Sequence, residues 1–218
     1  MRVVEIFQSI DGEANRVGTL TNFIRLAGCN LRCSYCDTDY ALEKTQGEEM
    51  SIEEIISKLD KDIKNVTLTG GEPLWNKENS KALLRELVNL GYNISVETNG
   101  SINLKEYIDE FHNVSFIVDY KGPSSKMEQT MDMENFNILR PIDCVKFVVG
   151  SKEDLEKMKN IYSTTKLSEG KSEIFVSPVF GDIEPKEIVE FLLENKLVDI
   201  RMQIQMHKVI WDPMMKGV

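Results

Sequence analysis

The chain has 218 residues, of which 41% are hydrophobic and 28% are charged, proportions that are ordinary for one globular domain with a sizeable core. Its formal net charge of −10 argues against a nucleic-acid-binding surface, and its apolar runs are too short to span a membrane. Four cysteines without a secretory signal predict a reducing, cytoplasmic setting, and nothing in residues 1–218 reads as a linker between domains.

Apolar periodicity predicts strands alternating with helices along the chain. The predicted strands are residues 3–7, 20–26, 65–69, 93–97, 114–119, 144–149, 173–177 and 201–205. The predicted helices are residues 51–59, opened by a Ser51–Glu54 capping box, 80–90, stopped by Gly91, 104–111, 151–162, capped by Ser151, and 185–195. Residues 121–143 show no clear period. The alternation predicts an α/β fold with a mostly parallel sheet and right-handed crossovers. Because eight full units need about 250 residues, we expect an incomplete (β/α) barrel.

The unusual polar motifs stand directly after predicted strands, at residues 29–36, 70–72, 98–100 and 121–125. In (β/α) barrels the carboxyl ends of the strands meet at one face, and that face carries the chemistry. We therefore expect these four segments to form one site.

Three of the four cysteines, Cys29, Cys33 and Cys36, fall within eight residues. A trio of thiolates on one loop indicates zinc or an iron–sulfur cluster. Zinc sites usually take four protein ligands, whereas the remaining Cys144 stands much later, in an apolar strand where we expect it to be buried. Three ligands favour a cubane cluster with one open iron. A structural zinc loop or a disulfide scaffold is the alternative.

The spacing Cys-x3-Cys-x2-Cys, with the aromatic Tyr35 before the last cysteine, resembles the signature of the radical S-adenosylmethionine (SAM) superfamily. The resemblance implies a [4Fe-4S] cluster on Cys29, Cys33 and Cys36, and SAM bound at the open iron. It also implies that the reduced cluster gives SAM one electron, so that a 5′-deoxyadenosyl radical forms.

Two further motifs agree with this resemblance. The sequence Thr-Gly-Gly-Glu-Pro at residues 69–73 would by itself be a turn, but after a cysteine trio it resembles the superfamily segment that holds the SAM amino group. The Glu97–Gly100 segment resembles another SAM-binding stretch, although Asn-Gly is also a common turn. Lys121 is either a SAM contact or a solvated loop residue. The implied SAM-binding residues are Tyr35, Gly71, Glu72, Glu97, Asn99 and Lys121.

The N-terminal sequence Glu-Ile-Phe-Gln-Ser-Ile-Asp-Gly-Glu-Ala at residues 5–14 resembles the opening of the 7-carboxy-7-deazaguanine synthase family. The match continues through residues 23–31, 36–39, 205–211 and 216–218. Asp11 and Ala14 stand where the family has Gln and Gly, and Asp119-Tyr120 stands where it has Ser-Pro.

This second resemblance implies a homodimeric lyase that converts 6-carboxy-5,6,7,8-tetrahydropterin into 7-carboxy-7-deazaguanine and ammonia, on the route to queuosine-type deazapurines. It also implies Mg²⁺ and a flavodoxin- or ferredoxin-like electron donor.

For the substrate site, Arg25 is a natural partner for the pterin carboxylate, with a strand-end salt bridge as the alternative. Thr38 is the implied Mg²⁺ ligand and would otherwise be a turn residue. The other expected substrate contacts are Ile10, Asp11, Gly12, Glu13, Thr69 and Val218, with His207 nearby. A glycyl-radical activase shares the cysteine and Gly-Gly-Glu-Pro motifs. The set from Ile10 to Glu13 with Arg25 discriminates against it, because that set suits a small anion rather than a peptide loop.

Overall fold

A computed structural model describes residues 1–213 and 215–218. The strands of this part of the chain are β1 (Arg2–Ile10), β2 (Leu20–Leu26), β3 (Glu48–Glu49), β4 (Asn65–Gly70), β5 (Asn93–Thr98), β6 (Ser115–Tyr120), β7 (Cys144–Val149), β8 (Glu173–Pro178) and β9 (Ile200–Met202). Its α-helices are α1 (Ile52–Ser57), α2 (Lys77–Asn89), α3 (Lys105–Glu110), α4 (Asn135–Ile138), α5 (Lys152–Thr164), α6 (Pro185–Asn195) and α7 (His207–Ile210). Short 3₁₀ turns, including Ala14–Arg16, Asp39–Ala41 and Pro123–Ser125, occupy several connections.

The strands form one sheet in the order β3-β1-β2-β4-β5-β6-β7-β8-β9. From β2 through β9 neighbouring strands are parallel, whereas β1 is antiparallel to both β2 and β3. The curved sheet does not close, because β3 and β9 remain its two edges. The expected incomplete barrel is confirmed.

The helices bury their apolar faces against the outside of this sheet. On α2, for example, Leu83, Leu84 and Leu87 are fully buried at the spacing that places them on one face. The capping box predicted at Ser51 is present, with Glu54 N donating to Ser51 Oγ and Ser51 N donating to Glu54 Oε2. Ser151 Oγ caps α5 by accepting a hydrogen bond from Asp154 N. Gly91, at φ +75°, follows the end of α2, as predicted.

Several boundaries differ from the predicted ranges, and three of the departures follow from contacts that the local pattern does not contain. The α2 helix begins at Lys77 rather than residue 80, since the Asn76 side chain accepts from Asn79 N. Glu48–Glu49, which lies in no predicted element, pairs with β1 as an edge strand. The last strand ends at Met202 rather than residue 205, because the Gln203 side chain leaves the sheet and binds both backbone groups of Ala14.

Residues 11–16, which we call the plug segment, cover the amino-terminal end of the barrel. Ala14 packs there with Ile117, Cys144 and Phe175. Arg16 donates to the carbonyls of Val66 and Asn93, near the first residues of β4 and β5. The plug segment leaves the opposite, carboxyl-terminal end of the barrel as the open one. Among the described residues, no helix has the length and apolar character needed to cross a bilayer.

Candidate active site

A cavity of about 590 Å³ lies at the carboxyl ends of the strands. It is lined by all but two of the residues that the sequence predicted for the site: Ile10, Gly12, Glu13, Arg25, Cys29, Cys33, Tyr35, Cys36, Thr38, Thr69, Gly71, Glu97, Asn99, Lys121 and Val218. Asp11 and Glu72 are the two exceptions. The parallel strands therefore bring the separate motifs together, as expected.

The cysteine loop (residues 29–36) places three free thiols on this cavity. Cys29 is buried, and Cys33 and Cys36 are half-buried. Burial raises the pKa of each thiol, so a positively charged group is needed to hold them as thiolates. No three His, Cys, Asp or Glu side chains of the described residues converge as ligands of one metal ion. Three thiols of one loop on the cavity wall suit a cluster, in which each thiolate binds a different iron.

Gly71 packs directly on the cysteine loop. A Cβ atom at this position would collide with the carbonyl oxygen of Gly28 and lie 2.8 Å from Cys29 Cβ. Only glycine permits so close an approach of two backbones. The Gly-Gly sequence thus brings the β4 carboxyl end against the predicted cluster ligands.

Glu72 is buried behind this contact and does not line the cavity. Its carboxylate accepts hydrogen bonds from Leu74 N at 3.0 Å, Thr98 Oγ1 at 2.9 Å and Asn99 N at 2.7 Å. Burial raises the pKa of Glu72 to about 7, although these three donors oppose the shift. The side chain predicted to meet SAM is therefore engaged by the protein itself, where it fixes the backbone of Asn99.

The next strand end carries Glu97 and Asn99. Asn99 Nδ2 donates to Asn30 Oδ1 at 3.0 Å and lies 3.7 Å from Cys29 Sγ, which ties β5 to the cysteine loop. Glu97 Oε2 accepts from Thr69 Oγ1 at 2.9 Å. On the far side of the loop, Tyr35 OH donates to the Val148 carbonyl at 3.4 Å. These contacts hold the predicted SAM-binding side chains around the three thiols.

A row of alternating charges crosses the cavity wall. Lys146 Nζ lies 2.7 Å from Glu13 Oε2 and 3.4 Å from Asp119 Oδ1, and Asp119 Oδ2 lies 2.7 Å from Lys121 Nζ. Although burial opposes charging, Asp119 and Glu13 raise the pKa of Lys146 well above its usual value. The other oxygen of Glu13, Oε1, is buried and has no hydrogen-bond partner among the described residues, so it is free to accept from a ligand.

Arg25 lies on the opposite wall, between two aromatic rings. Its Nε donates to Glu5 Oε1 at 2.7 Å, so the strand-end salt bridge considered as an alternative is present. Its guanidinium carbon lies 6.0 Å from the Phe7 ring centroid and 5.9 Å from that of Tyr40. Arg25 also lines the cavity, so the ion pair with Glu5 does not remove it from the candidate site.

Thr38 follows the cysteine loop and also faces the cavity. Its Oγ1 donates to Asp37 Oδ1 at 3.1 Å, and Asp37 Oδ2 in turn accepts from Lys208 Nζ at 2.9 Å. A hydroxyl beside a carboxylate is a set of oxygen donors suited to Mg²⁺.

Asp11 belongs to the plug segment rather than to the cavity. Its Oδ1 accepts from Thr67 Oγ1 at 2.8 Å, and its Oδ2 lies 3.3 Å from Arg16 Nε. Burial raises its pKa to about 6, with Arg16 opposing the shift. The acid that replaces the amide of the related sequences therefore has an internal partner, and a substrate contact through this carboxylate is not supported by its position.

The C-terminal residues complete the cavity. Met206 N donates to the Gly12 carbonyl at 3.0 Å, and the His207 ring packs so closely on Gly12 that a Cβ atom there would overlap it. Lys216 Nζ lies 4.0 Å from the Tyr40 ring centroid. His207, which we expected near the site, lines the cavity with Gln205 and Lys208.

The sequence did not predict the roles of Glu5, Tyr40, Asp119 and Lys146. Lys146 had one available signal, because a lysine inside an otherwise apolar strand needs a buried partner. Glu5 and Tyr40 carried none, since their contacts with Arg25 depend on strand register and loop path.

This fold and cysteine site define a radical SAM protein. The model of the Radical SAM superfamily matches residues 23–192, from β2 to α6. The fold is also similar to that of QueE from Escherichia coli, with a TM-score of 0.65, 20% identity and 94% of both chains covered.

Sequence comparison identifies the family within this superfamily. The chain is 45% identical to the 7-carboxy-7-deazaguanine synthase of Clostridium acetobutylicum over 219 residues, covering 100% of this chain and 99% of the relative. It is 38% identical to that of Methanospirillum hungatei, covering 98% of this chain and 86% of the relative. The chain belongs to the 7-carboxy-7-deazaguanine synthase family.

Proposed function

We propose that this protein converts 6-carboxy-5,6,7,8-tetrahydropterin into 7-carboxy-7-deazaguanine and ammonia. The observation that carries the proposal is a single cavity that joins three free cysteines to an arginine and to an unpartnered glutamate oxygen. The whole-length similarity to named synthases supports the choice of reaction.

The cofactor half of the cavity suits a [4Fe-4S] cluster and SAM. Cys29, Cys33 and Cys36 would each hold one iron, and the Gly71 backbone with Glu97, Asn99, Tyr35 and Lys121 would surround SAM. A cluster and SAM bound there would supply one-electron chemistry capable of removing a hydrogen atom from the substrate. The protein's own part is to hold the two groups in a fixed relation, which the Asn99 and Gly71 contacts to the cysteine loop provide.

The substrate half of the cavity suits a carboxylated pterin. Arg25 would grip the carboxylate, and Glu13 Oε1 would accept from the N–H groups of the pyrimidine edge. Ile10, Gly12, Thr69 and Val218 also face this space. Because so reactive a radical gains selectivity only from positioning, these anchors decide which hydrogen is within its reach.

The family resemblance also motivates further proposals: Mg²⁺ on Thr38, a flavodoxin- or ferredoxin-like electron donor, a homodimer of single-domain subunits and a cytoplasmic location. The hydroxyl of Thr38 beside Asp37 supports the first of these, since both groups offer oxygen to a hard cation.

The direct test is an anaerobic assay of the cluster-loaded protein with SAM, a chemical reductant and the carboxylated pterin, followed by mass analysis. We expect the carboxy-deazaguanine product and ammonia, with SAM regenerated. SAM cleavage that leaves the pterin intact would point to another radical SAM reaction, such as glycyl-radical activation. A colourless protein that contains zinc, without iron or sulfide, would exclude the enzyme.

The Mg²⁺ proposal has its own test in Thr38→Ala. This variant should keep SAM cleavage but lose the stimulation of turnover by Mg²⁺, because only the ligand set of the metal changes. Turnover should be measured over a range of Mg²⁺ concentrations. An unchanged Mg²⁺ dependence would make Thr38 a turn residue.

A further inference from the structure

The geometry of the salt bridge between Glu5 and Arg25 is more specific than charge pairing alone would require. The two residues are cross-strand partners in the antiparallel β1–β2 pair, and strand alternation puts them on the same face of the sheet as Phe7 and Phe23. Arg25, Phe7 and Phe23 line the cavity, whereas Glu5 does not. Glu5 accepts a hydrogen bond from Nε of Arg25. The two terminal nitrogens of Arg25 have no hydrogen-bond partner among the described residues. The Arg25 side chain is 15% exposed, and its exposed part faces the cavity.

The Glu5 carboxylate is itself fixed. Its Oε1 accepts a second hydrogen bond from Tyr40 OH at 2.8 Å, so two donors from different elements meet on one oxygen. The Tyr40 and Phe7 rings lie beside the guanidinium at similar distances and restrict its plane. A long side chain that is free in solution is here held in one conformation before any ligand arrives.

Holding Arg25 in this way has an energetic consequence. An unrestrained arginine loses rotamer freedom when it binds a carboxylate, and preorganisation removes much of that cost. The exposed end of a guanidinium offers parallel N–H groups that match the two oxygens of a carboxylate. Glu5 occupies Nε and so directs that end into the cavity.

We propose that Glu5 is a positioning residue, which aligns Arg25 for two-pronged binding of the substrate carboxylate. The inference rests on the proposed function, since it takes the carboxylated pterin as the ligand. A purely electrostatic role predicts the opposite sign, because the negative charge of Glu5 weakens the attraction of Arg25 for an anion. Removing Glu5 therefore separates positioning from charge neutralisation.

The test uses anaerobic calorimetric titrations of the cluster-loaded protein in the presence of SAM. Two probes are compared: 6-carboxy-5,6,7,8-tetrahydropterin and 5,6,7,8-tetrahydropterin, which lacks the carboxylate. The Kd of 5,6,7,8-tetrahydropterin divided by the Kd of 6-carboxy-5,6,7,8-tetrahydropterin measures what the carboxylate contributes to affinity. Glu5→Ala should lower this ratio by about tenfold, and Glu5→Gln, which keeps an acceptor oxygen for Nε, should restore most of it. Affinity for SAM should not change.

The matched control is Glu173→Ala. Glu173 forms a cross-strand ion pair with Arg201, at 2.6 Å between β8 and β9, but Arg201 does not line the cavity, whereas Arg25 does. This variant should leave the ratio unchanged. If Glu5→Ala does not retain the cluster, Tyr40→Phe takes its place, because it removes one donor to Glu5 and keeps the ring. Its ratio should fall by about threefold.

An unchanged or increased ratio in Glu5→Ala, or an unchanged ratio in Tyr40→Phe where that variant is used, would overturn the positioning role. Failure of the proposed function gives a different result. In that case the wild-type protein would bind both probes equally, or Arg25→Ala would keep the wild-type ratio.

Discussion

Cysteines at the two ends of the barrel are in different surroundings. Cys29, Cys33 and Cys36 face the open cavity, whereas Cys144 is enclosed with Ala14 and Phe175 at the plugged end. Burial raises the pKa of Cys144 to about 12, so it remains a neutral thiol. Position in the barrel therefore separates three candidate ligands from a small apolar core residue, as the sequence predicted for Cys144.

Alanine substitution of each cysteine tests this division. Replacing Cys29, Cys33 or Cys36 should abolish cluster retention and turnover, since each thiolate holds a different iron. Cys144→Ala should keep both and serves as the control. Iron and sulfide should be quantified after anaerobic reconstitution. Loss of the cluster in the Cys144 variant, with retention in the others, would reverse the assignment.

Asp11 gives the plug segment a pH-dependent stability. An acid whose native pKa lies at about 6, against 3.8 in the unfolded chain, binds its proton more tightly when folded. Its contribution to stability is fully present below pH 3.8 and is lost as the pH rises through 6.

Between pH 4 and 7 the free energy of unfolding of the wild type should fall relative to that of Asp11→Asn by roughly 2 kcal/mol, because Asp11 binds its proton about a hundredfold more tightly in the folded protein. The buried Arg16 adds an offset that does not depend on pH. Chemical denaturation of both proteins in the same cofactor state, across this range, measures the slope. Parallel curves for the two proteins would show that Asp11 does not titrate there.

Among the elements, α7 is held in place largely by its contacts with Gly12 of the plug segment. Gly12 lies under the His207 ring and accepts from Met206 N, so the first turn of α7 rests on the plug segment. Lys208 adds an ion pair to Asp37, beside the cysteine loop. The helix has only four residues, and tertiary contacts rather than helix propensity hold it in place.

Gly12→Ala should displace α7 and cost about 1–3 kcal/mol, as overpacking does in a close contact. Hydrogen exchange in residues 205–211 should accelerate, and the pterin should bind more weakly. Gly18→Ala is the control, because an added Cβ at Gly18 meets no atom within 4 Å, although its positive φ carries a backbone cost of its own. Equal exchange in α7 of both variants would show that the glycine contact does not hold the helix.

Elements set by local pattern were predicted well. The bounds of β2, β7 and α6 agree with the predictions, because burial periodicity and flanking residues define them without help from distant parts of the chain. The end of the last strand and the α7 helix were not predicted well, because contacts with the distant residues Ala14 and Gly12 hold Gln203 and His207 in place. Motif residues of the cavity could be predicted from their spacing. The residues that hold these motif residues in place could not be predicted, because they come together only through strand register and the curvature of the sheet.

At the scale of the whole molecule, Lys146 joins the barrel wall to the plug segment. It lies on β7, and its Nζ reaches Glu13, which is 133 positions earlier in the chain. The side chain is 6% exposed, so the pair is held almost out of contact with water. Breaking one partner of such a pair leaves an uncompensated charge in the interior.

Lys146→Met should therefore lower the free energy of unfolding by about 3–5 kcal/mol, while a second substitution, Glu13→Gln, should recover part of the loss. Denaturant titration measures both. Arg201→Met, which breaks the exposed pair with Glu173, should stay within about 1 kcal/mol of wild type. A Lys146→Met protein as stable as the control would mean that the buried pair contributes little to holding the plug segment against the barrel wall.

The contact between Ala14 and Gln203 also bears on how the molecule is made. The two residues are 189 positions apart, so the ribosome must have added at least 203 residues before the plug segment can acquire this partner. The parallel strands in between can pair earlier, in the order of synthesis. A nascent chain thus has the cysteine loop long before it has the walls that shelter it. A cavity with all of its walls therefore exists only after nearly the whole chain has been synthesised.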